Sequence, residues 1–126
     1  MAQPRDLATA PDRASILTKA TLRAAERLRL TGRQLAEIVG VSEATVSRLK
    51  RGEASLEDGS KPFQLAVLLV RAFRSLDAIT GGDESVARAW LTAPNTALGA
   101  RPVERMVTVQ GLVEVTTYLD SRRAPI

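Results

Sequence analysis

The sequence contains neither cysteine nor histidine. The first absence excludes disulfides and gives no sign of an oxidising compartment. Together the two remove the usual metal ligands, general bases and nucleophiles. The carboxylates that remain are scattered beside arginines at helical spacing, which suits surface ion pairs better than an acid/base pair. Asp83 and Glu84 are adjacent, but a helix N-terminus accounts for both charges. No glycine-rich phosphate loop follows a strand. Catalysis, a metal and a cofactor are therefore not expected, and the protein is expected to act by binding. Aromatic residues are also few: two Phe, one Trp and one Tyr. The core must then be built from Leu, Val, Ile and Ala, a composition that favours helices. Long apolar runs are missing as well. The longest, Leu65 to Val70, is far too short to span a bilayer, and the stretch MAQPRDLATAPDR has no apolar signal core. A cytoplasmic protein without a membrane partner is expected.

What is present is an uneven charge. The 126 residues carry a net charge of +4, and its placement is informative. Residues 1–52 hold ten Lys/Arg against five Asp/Glu, and residues 53–126 hold eight against nine. The positive excess lies in the N-terminal half, as phosphate binding would require. The alternative is that Arg23, Arg27, Arg29 and Arg33 form only a solvated helix face.

That basic half contains TGRQLAEIVGVSEATVSRLKRG, Thr31 to Gly52. It reads as two short amphipathic helices, Gly32 to Val39 and Glu43 to Arg51, joined by a tight turn. Thr31 and Gln34 have the spacing of a capping box. Gly40 falls where a left-handed turn residue is needed, Ser42 can cap the second helix, and Gly52 closes it. Leu35, Ala36, Val39, Val41, Val46 and Leu49 supply a shared apolar face. A structural helical hairpin also needs a glycine and apolar periodicity. Small Ala36, turn Gly40 and inward Val46 at these offsets, followed by Arg48-Leu49-Lys50-Arg51, point instead to a DNA-binding helix-turn-helix.

In that motif the start of the second helix meets base edges in the major groove. With Val46 and Leu49 turned inward, Glu43, Ala44, Thr45, Ser47 and Arg48 are the candidate base readers. Arg48 could grip guanine through two hydrogen bonds, Thr45 offers a methyl for thymine or a hydroxyl for phosphate, and Glu43 either accepts from a cytosine amino group or serves its own helix N-terminus. Arg33, Gln34, Ser42, Lys50 and Arg51 are the candidate phosphate contacts. One such helix reads too few base pairs for an operator, so a dimer or larger assembly is expected.

The rest of the chain is read as helices. Residues 1–11 are expected to be a mobile arm, and Asp12 to cap a helix Arg13 to Leu30 with Leu17, Ala20, Ala24 and Leu28 on one face. GEASLEDGS, residues 52–60, is a polar loop. Pro62 opens a helix running to about Ile79 that is apolar on several sides, the mark of an element buried between layers. After Gly81-Gly82, Asp83 caps Glu84 to Leu91, which carries Val86, Ala87, Trp90 and Leu91. Turns follow at Asn95–Leu98 and Val103–Met106. Thr108 caps a last helix to about Leu119, with Val109, Leu112, Val113 and Leu119 facing in. The expected architecture is all-α, with a helix-turn-helix domain (12–60), a central connecting helix (61–80), a small helical C-terminal domain (81–119) and a tail (120–126).

The segment GGDESVARAWLTAPNTALGARPVERMVTVQGLVEVTTYLD resembles the C-terminal domain of the Xre/MbcA/ParS antitoxin family. The matching features are Gly81-Gly82, Ala89-Trp90-Leu91, Pro94-Asn95 and Ala97-Leu98-Gly99. Pro102 with Met106, and Gly111-Leu112 with Val115 and Leu119, continue the pattern. With the Xre/Cro-like helix-turn-helix before it, the resemblance covers residues 15–120. Ala100 before Arg101-Pro102 departs from the family's usual glycine-rich turn. The resemblance implies an all-helical antitoxin of a type II toxin–antitoxin module. Its partner would be a RES-domain toxin similar to ADP-ribosyltransferases, whose NAD site the C-terminal domain would obstruct. The helix-turn-helix would repress the shared operon, and the protein would be a homodimer, often joined through the C-terminal half.

Tyr118, Ser121, Arg122, Arg123, Ala124, Pro125 and Ile126 are the candidate toxin-binding residues, a basic, proline-containing end that no core needs. Its two arginines could enter a site built for a dinucleotide pyrophosphate, or the segment could be a frayed terminus. Trp90 is similarly open between core and contact. The competing function is a stand-alone helix-turn-helix repressor whose C-terminal half only dimerises or senses a ligand.

Overall fold

The structure, a computed structural model, describes residues 12–123. The expected arm 1–11 and the tail residues Ala124, Pro125 and Ile126 lie outside the described residues. Seven helices follow one another among those described: α1 (Arg13–Arg27), α2 (Gly32–Val39), α3 (Glu43–Lys50), α4 (Lys61–Ile79), α5 (Glu84–Thr92), α6 (Pro102–Arg105) and α7 (Val109–Arg123). The protein is all-α, and the one extended pairing in the described residues is an isolated antiparallel bridge between Asn95 and Ala100. No described helix is long and apolar enough to cross a membrane.

Local chemistry sets most boundaries. Asp12, Thr31, Ser42, Ser60 and Asp83 each accept a hydrogen bond from the backbone N–H three residues on, satisfying a donor that the first turn cannot. Helix α1 stops at Arg27 rather than Leu30. Arg29 takes a left-handed backbone (φ 58°), and the Arg29 and Leu30 N–H groups return to the Glu26 and Ala25 carbonyls at 3.1 and 2.9 Å. This pattern closes a helix end and turns the chain toward α2.

Helix α4 organises the packing. It packs against α1, α2 and α7 and touches α5, while α6 packs between α5 and α7. Ala66 and Leu69 are completely buried, and Phe63, Ala72 and Leu76 nearly so. Each large side chain removed from water in this way contributes roughly 1.5–3 kcal/mol. One continuous cluster runs from Ala25 and Leu28 through Leu35, Val39, Val46 and Leu69 to Leu91, Leu112, Val115 and Leu119. The core therefore crosses the boundary between the basic N-terminal half and the C-terminal half.

Several side chains sit differently from the sequence expectation. Ile38, absent from the expected hairpin face, is 2% exposed. Leu56, in a stretch read only as polar loop, is 3% exposed and inserts into the core. Its N–H donates to the Thr18 hydroxyl at 2.9 Å, which itself donates to the Ala14 carbonyl. Val86 is exposed instead of packed. Helix α7 runs to Arg123, four residues past Leu119. Its inward face is Gly111, Leu112, Val115, Thr116 and Leu119, whereas Val109 and Val113 are exposed at 61% and 42%. Asp120, expected in the tail, accepts from the Ser75 hydroxyl at 2.7 Å and pairs with Arg71 at 2.6 Å. Ser75 is fully buried on α4, so this carboxylate fastens the α7 C-terminal turns to the central helix.

Candidate nucleic-acid and partner interfaces

The α2–α3 pair is built by reciprocal caps. The Thr31 hydroxyl accepts from the Gln34 N–H at 3.0 Å, and the Gln34 side-chain oxygen accepts from the Thr31 N–H at 2.9 Å. Gly40 adopts φ 76° at the turn, and its N–H returns to the Ala36 carbonyl. Ser42 then starts α3, accepting from the Thr45 N–H at 3.0 Å. Val46 and Leu49 point into the core. Helical periodicity turns Ala44, Ser47 and Arg48 outward, and all three are exposed, as is Glu43 at the helix start.

Thr45 is half-buried at the edge of this face. Its hydroxyl oxygen accepts from the Ser42 hydroxyl at 3.0 Å and from the Arg48 guanidinium at 3.4 Å. A Ser42–Thr45–Arg48 chain thus steadies the arginine over the face that would meet base edges, leaving its remaining donors available. Gln34 spends its carbonyl on the cap, so only its amide N–H groups can reach a phosphate. Arg51 holds Glu53 through two contacts of 3.0 and 3.2 Å, and Arg33 lies 3.7 Å from Glu37. These pairs are exposed and weak, each worth at most about 1 kcal/mol, and a phosphate could displace either carboxylate. Lys50 makes no ion pair among the described residues, and its ammonium lies 3.8 Å from where a Gly32 β-carbon would stand, at the start of α2.

At the other end, α7 and the 96–99 turn enclose a shallow groove lined by Ala97, Leu98, Val113, Thr117 and Tyr118. Asn95 shapes the turn, its side chain accepting from the Leu98 N–H at 3.1 Å. Tyr118 is half-buried and stacks on Trp90 with ring centroids 6.1 Å apart, and the Arg122 guanidinium sits 4.8 Å from its ring centre. Trp90 is half-buried too, packed against the core and stacked outward on Tyr118. Ser121, Arg122 and Arg123 are exposed on the last turn of α7.

Val113 lines this groove, although the helical spacing of α7 places it on the inward face, so the sequence pattern does not reveal it. The other residues overlooked there join the two halves. Arg27 lies 3.1 Å from Glu84 and 3.6 Å from Asp77, with its guanidinium 5.9 Å from the centre of Phe73. The Arg27–Glu84 approach is not aligned as a hydrogen bond, so it acts through charge. Arg88 donates to the Leu28 carbonyl at 3.4 Å. Arg27 is therefore a link between α1, α4 and α5 and not part of a solvated basic face.

These features define a helix-turn-helix protein whose motif shares a core with an appended helical domain. Two family models match the chain: the antitoxin Xre-like helix-turn-helix domain over residues 8–71 and the antitoxin Xre/MbcA/ParS C-terminal toxin-binding domain over residues 75–124. The protein belongs to this family of toxin–antitoxin antitoxins. No curated protein matches the chain.

Proposed function

We propose that the protein neutralises a RES-domain, NAD-consuming toxin through its C-terminal half and represses their shared operon through α2 and α3. The observation that carries this reading is the pairing of an outward, basic recognition helix with an exposed α7 surface on one continuous core. The toxin-facing residues are assigned to Tyr118, Ser121, Arg122 and Arg123, continuing into Ala124, Pro125 and Ile126. Arg122 is held over the Tyr118 ring, one turn back on the same helix face, by cation–π attraction, which fixes its positive charge on the exposed surface beside that ring. A cation held there suits an anionic pocket such as one shaped for a dinucleotide pyrophosphate. On the DNA side, Arg48 and its neighbours Glu43, Ala44, Thr45 and Ser47 read bases, while Arg33, Gln34, Ser42, Lys50 and Arg51 hold the backbone. A homodimer supplies the second half-site.

Co-expression with a RES-domain toxin, should the adjacent gene encode one, tests the proposal. Growth should be rescued and the two proteins should co-purify, whereas persisting toxicity without a complex would refute it. Truncation after Asp120 isolates the assigned residues beyond it. Neutralisation should fall, and full neutralisation would remove the contact from this segment.

A further inference from the structure

The described cations of the N-terminal half fall into two groups. Arg13, Arg27, Arg33 and Arg51 each lie within 4 Å of a carboxylate. Lys19, Arg23, Arg29, Arg48 and Lys50 have no such partner among the described residues, and all of these except Arg48, which lies on the outward face of α3, line one cleft of about 750 Å³ beside α1 and the start of α2. A single carboxylate, Glu26, shares that lining. The positive end of the α2 dipole is there as well, since the Lys50 ammonium lies 3.8 Å from where a Gly32 β-carbon would stand. Four like charges and a helix N-terminus repel one another, and an anion in the cleft relieves that repulsion.

Arg29 adds a second, independent observation. It occupies the left-handed position that ends α1, where glycine is free of strain and a side chain is not. It is the one non-glycine residue with positive φ among those described. The fold alone would favour glycine there, yet the position carries a guanidinium into the cleft. Strained positions of this kind gather at functional sites.

We infer that the cleft of Lys19, Arg23, Arg29 and Lys50 is a second phosphate-binding surface that grips the DNA backbone beside the groove entered by α3. The inference rests on the DNA-binding reading of α2 and α3. Lys50 joins the two surfaces: it sits on the α3 flank, between the outward face of that helix and the N-terminus of α2. A helix in the major groove has a sugar–phosphate strand along each flank, so cations on this flank face one strand. The cleft is many times larger than a single phosphate, which suits a length of backbone better than a free ion. Contacts of this kind raise affinity and fix register without reading sequence.

Fluorescence anisotropy with two duplexes tests the assignment, one carrying the promoter region of the protein's own gene and one unrelated. The wild-type protein, Lys19→Ala/Arg23→Ala, Arg29→Gly and Arg48→Ala are compared across a salt series. Each phosphate contact contributes about 0.9 to the slope of log K against log salt concentration. The double variant should lose about 1.8 from that slope and weaken on both duplexes by the same factor. Arg48→Ala should instead narrow the preference for the promoter duplex. Arg29→Gly should lower the slope by about 0.9 while its melting temperature stays level or rises, because glycine removes the strain. An unchanged slope in the double variant, with Arg48→Ala still impaired, overturns the cleft and leaves the helix-turn-helix reading intact. Loss of binding to both duplexes by the wild-type protein would overturn both readings. Weaker toxin co-purification, or loss of stabilisation by inorganic phosphate, with DNA binding unaltered would transfer the cleft to another ligand and refute the inference.

Discussion

Gly111→Ala should unfold this protein more readily even though it places a better helix former inside a helix. Alanine in place of glycine at such a position ordinarily gains about 1 kcal/mol. Gly111 is buried in the first turn of α7, where that helix crosses the end of α6. A β-carbon there would overlap the Arg105 carbonyl oxygen, with the carbonyl carbon 2.7 Å away and the Thr108 hydroxyl oxygen at 2.9 Å. The obstacle is backbone, so no rotamer change relieves it, and α6 must move away from α7. Overpacking of this severity costs about 3 kcal/mol, the upper end of the usual range. The net loss is therefore about 2 kcal/mol, close to thirtyfold in the folding equilibrium. Urea unfolding followed by circular dichroism measures it, with the midpoint lowered and the slope unchanged. A midpoint equal to or above that of the wild type would refute the packing argument. Gly52→Ala is the control: its φ is 75° but nothing lies within 4 Å of a β-carbon, so only the smaller left-handed penalty, roughly 1–2 kcal/mol, should appear.

Three further outcomes follow from contacts that cross the fold. Leu56→Ala should cost roughly 2–5 kcal/mol in the same unfolding experiment, as expected for a core leucine and not for a loop residue. Thr18→Val leaves the Leu56 N–H without its acceptor and should cost about 1–3 kcal/mol, while Ser55→Ala, exposed beside it, should be neutral. Asp120→Ala removes the acceptor of the buried Ser75 hydroxyl and should cost about 1–3 kcal/mol. It should also speed hydrogen exchange in the last two turns of α7, and unchanged exchange there would show that the contact does not fasten them.

What the sequence revealed was governed by neighbours in the chain. The ends of α2 and α3 were legible because Thr31, Gly40, Ser42 and Gly52 act within a turn of the boundaries they set. The inward face of α7 was not, because Val109, Leu112, Val113, Val115 and Leu119 surround the helix, and only contact with α4 selects among them. Leu56 gave no signal, since one apolar residue in a polar loop has no period. The ion pairs of Arg27 and the Asp120–Ser75 bond join positions far apart in sequence, so spacing could not anticipate them. Among the candidate site residues, the outward set on α3 follows from local periodicity. The cleft around Arg29 arises only when α1, α2 and α3 are brought together.

The shared core makes α4 a thermodynamic conduit. Residues of α2 and residues of α7 rest on the same helix, so opening either end exposes part of one apolar cluster. A molecule that binds folded α7 at a hundred times its dissociation constant adds about 2.7 kcal/mol to global stability. Through α4 and the α2 that rests on it, that increment protects the recognition helix, which packs on α2, as well. Occupancy at one end can thereby govern how long the other end survives unfolding and proteolysis, with no change in the shape of either site.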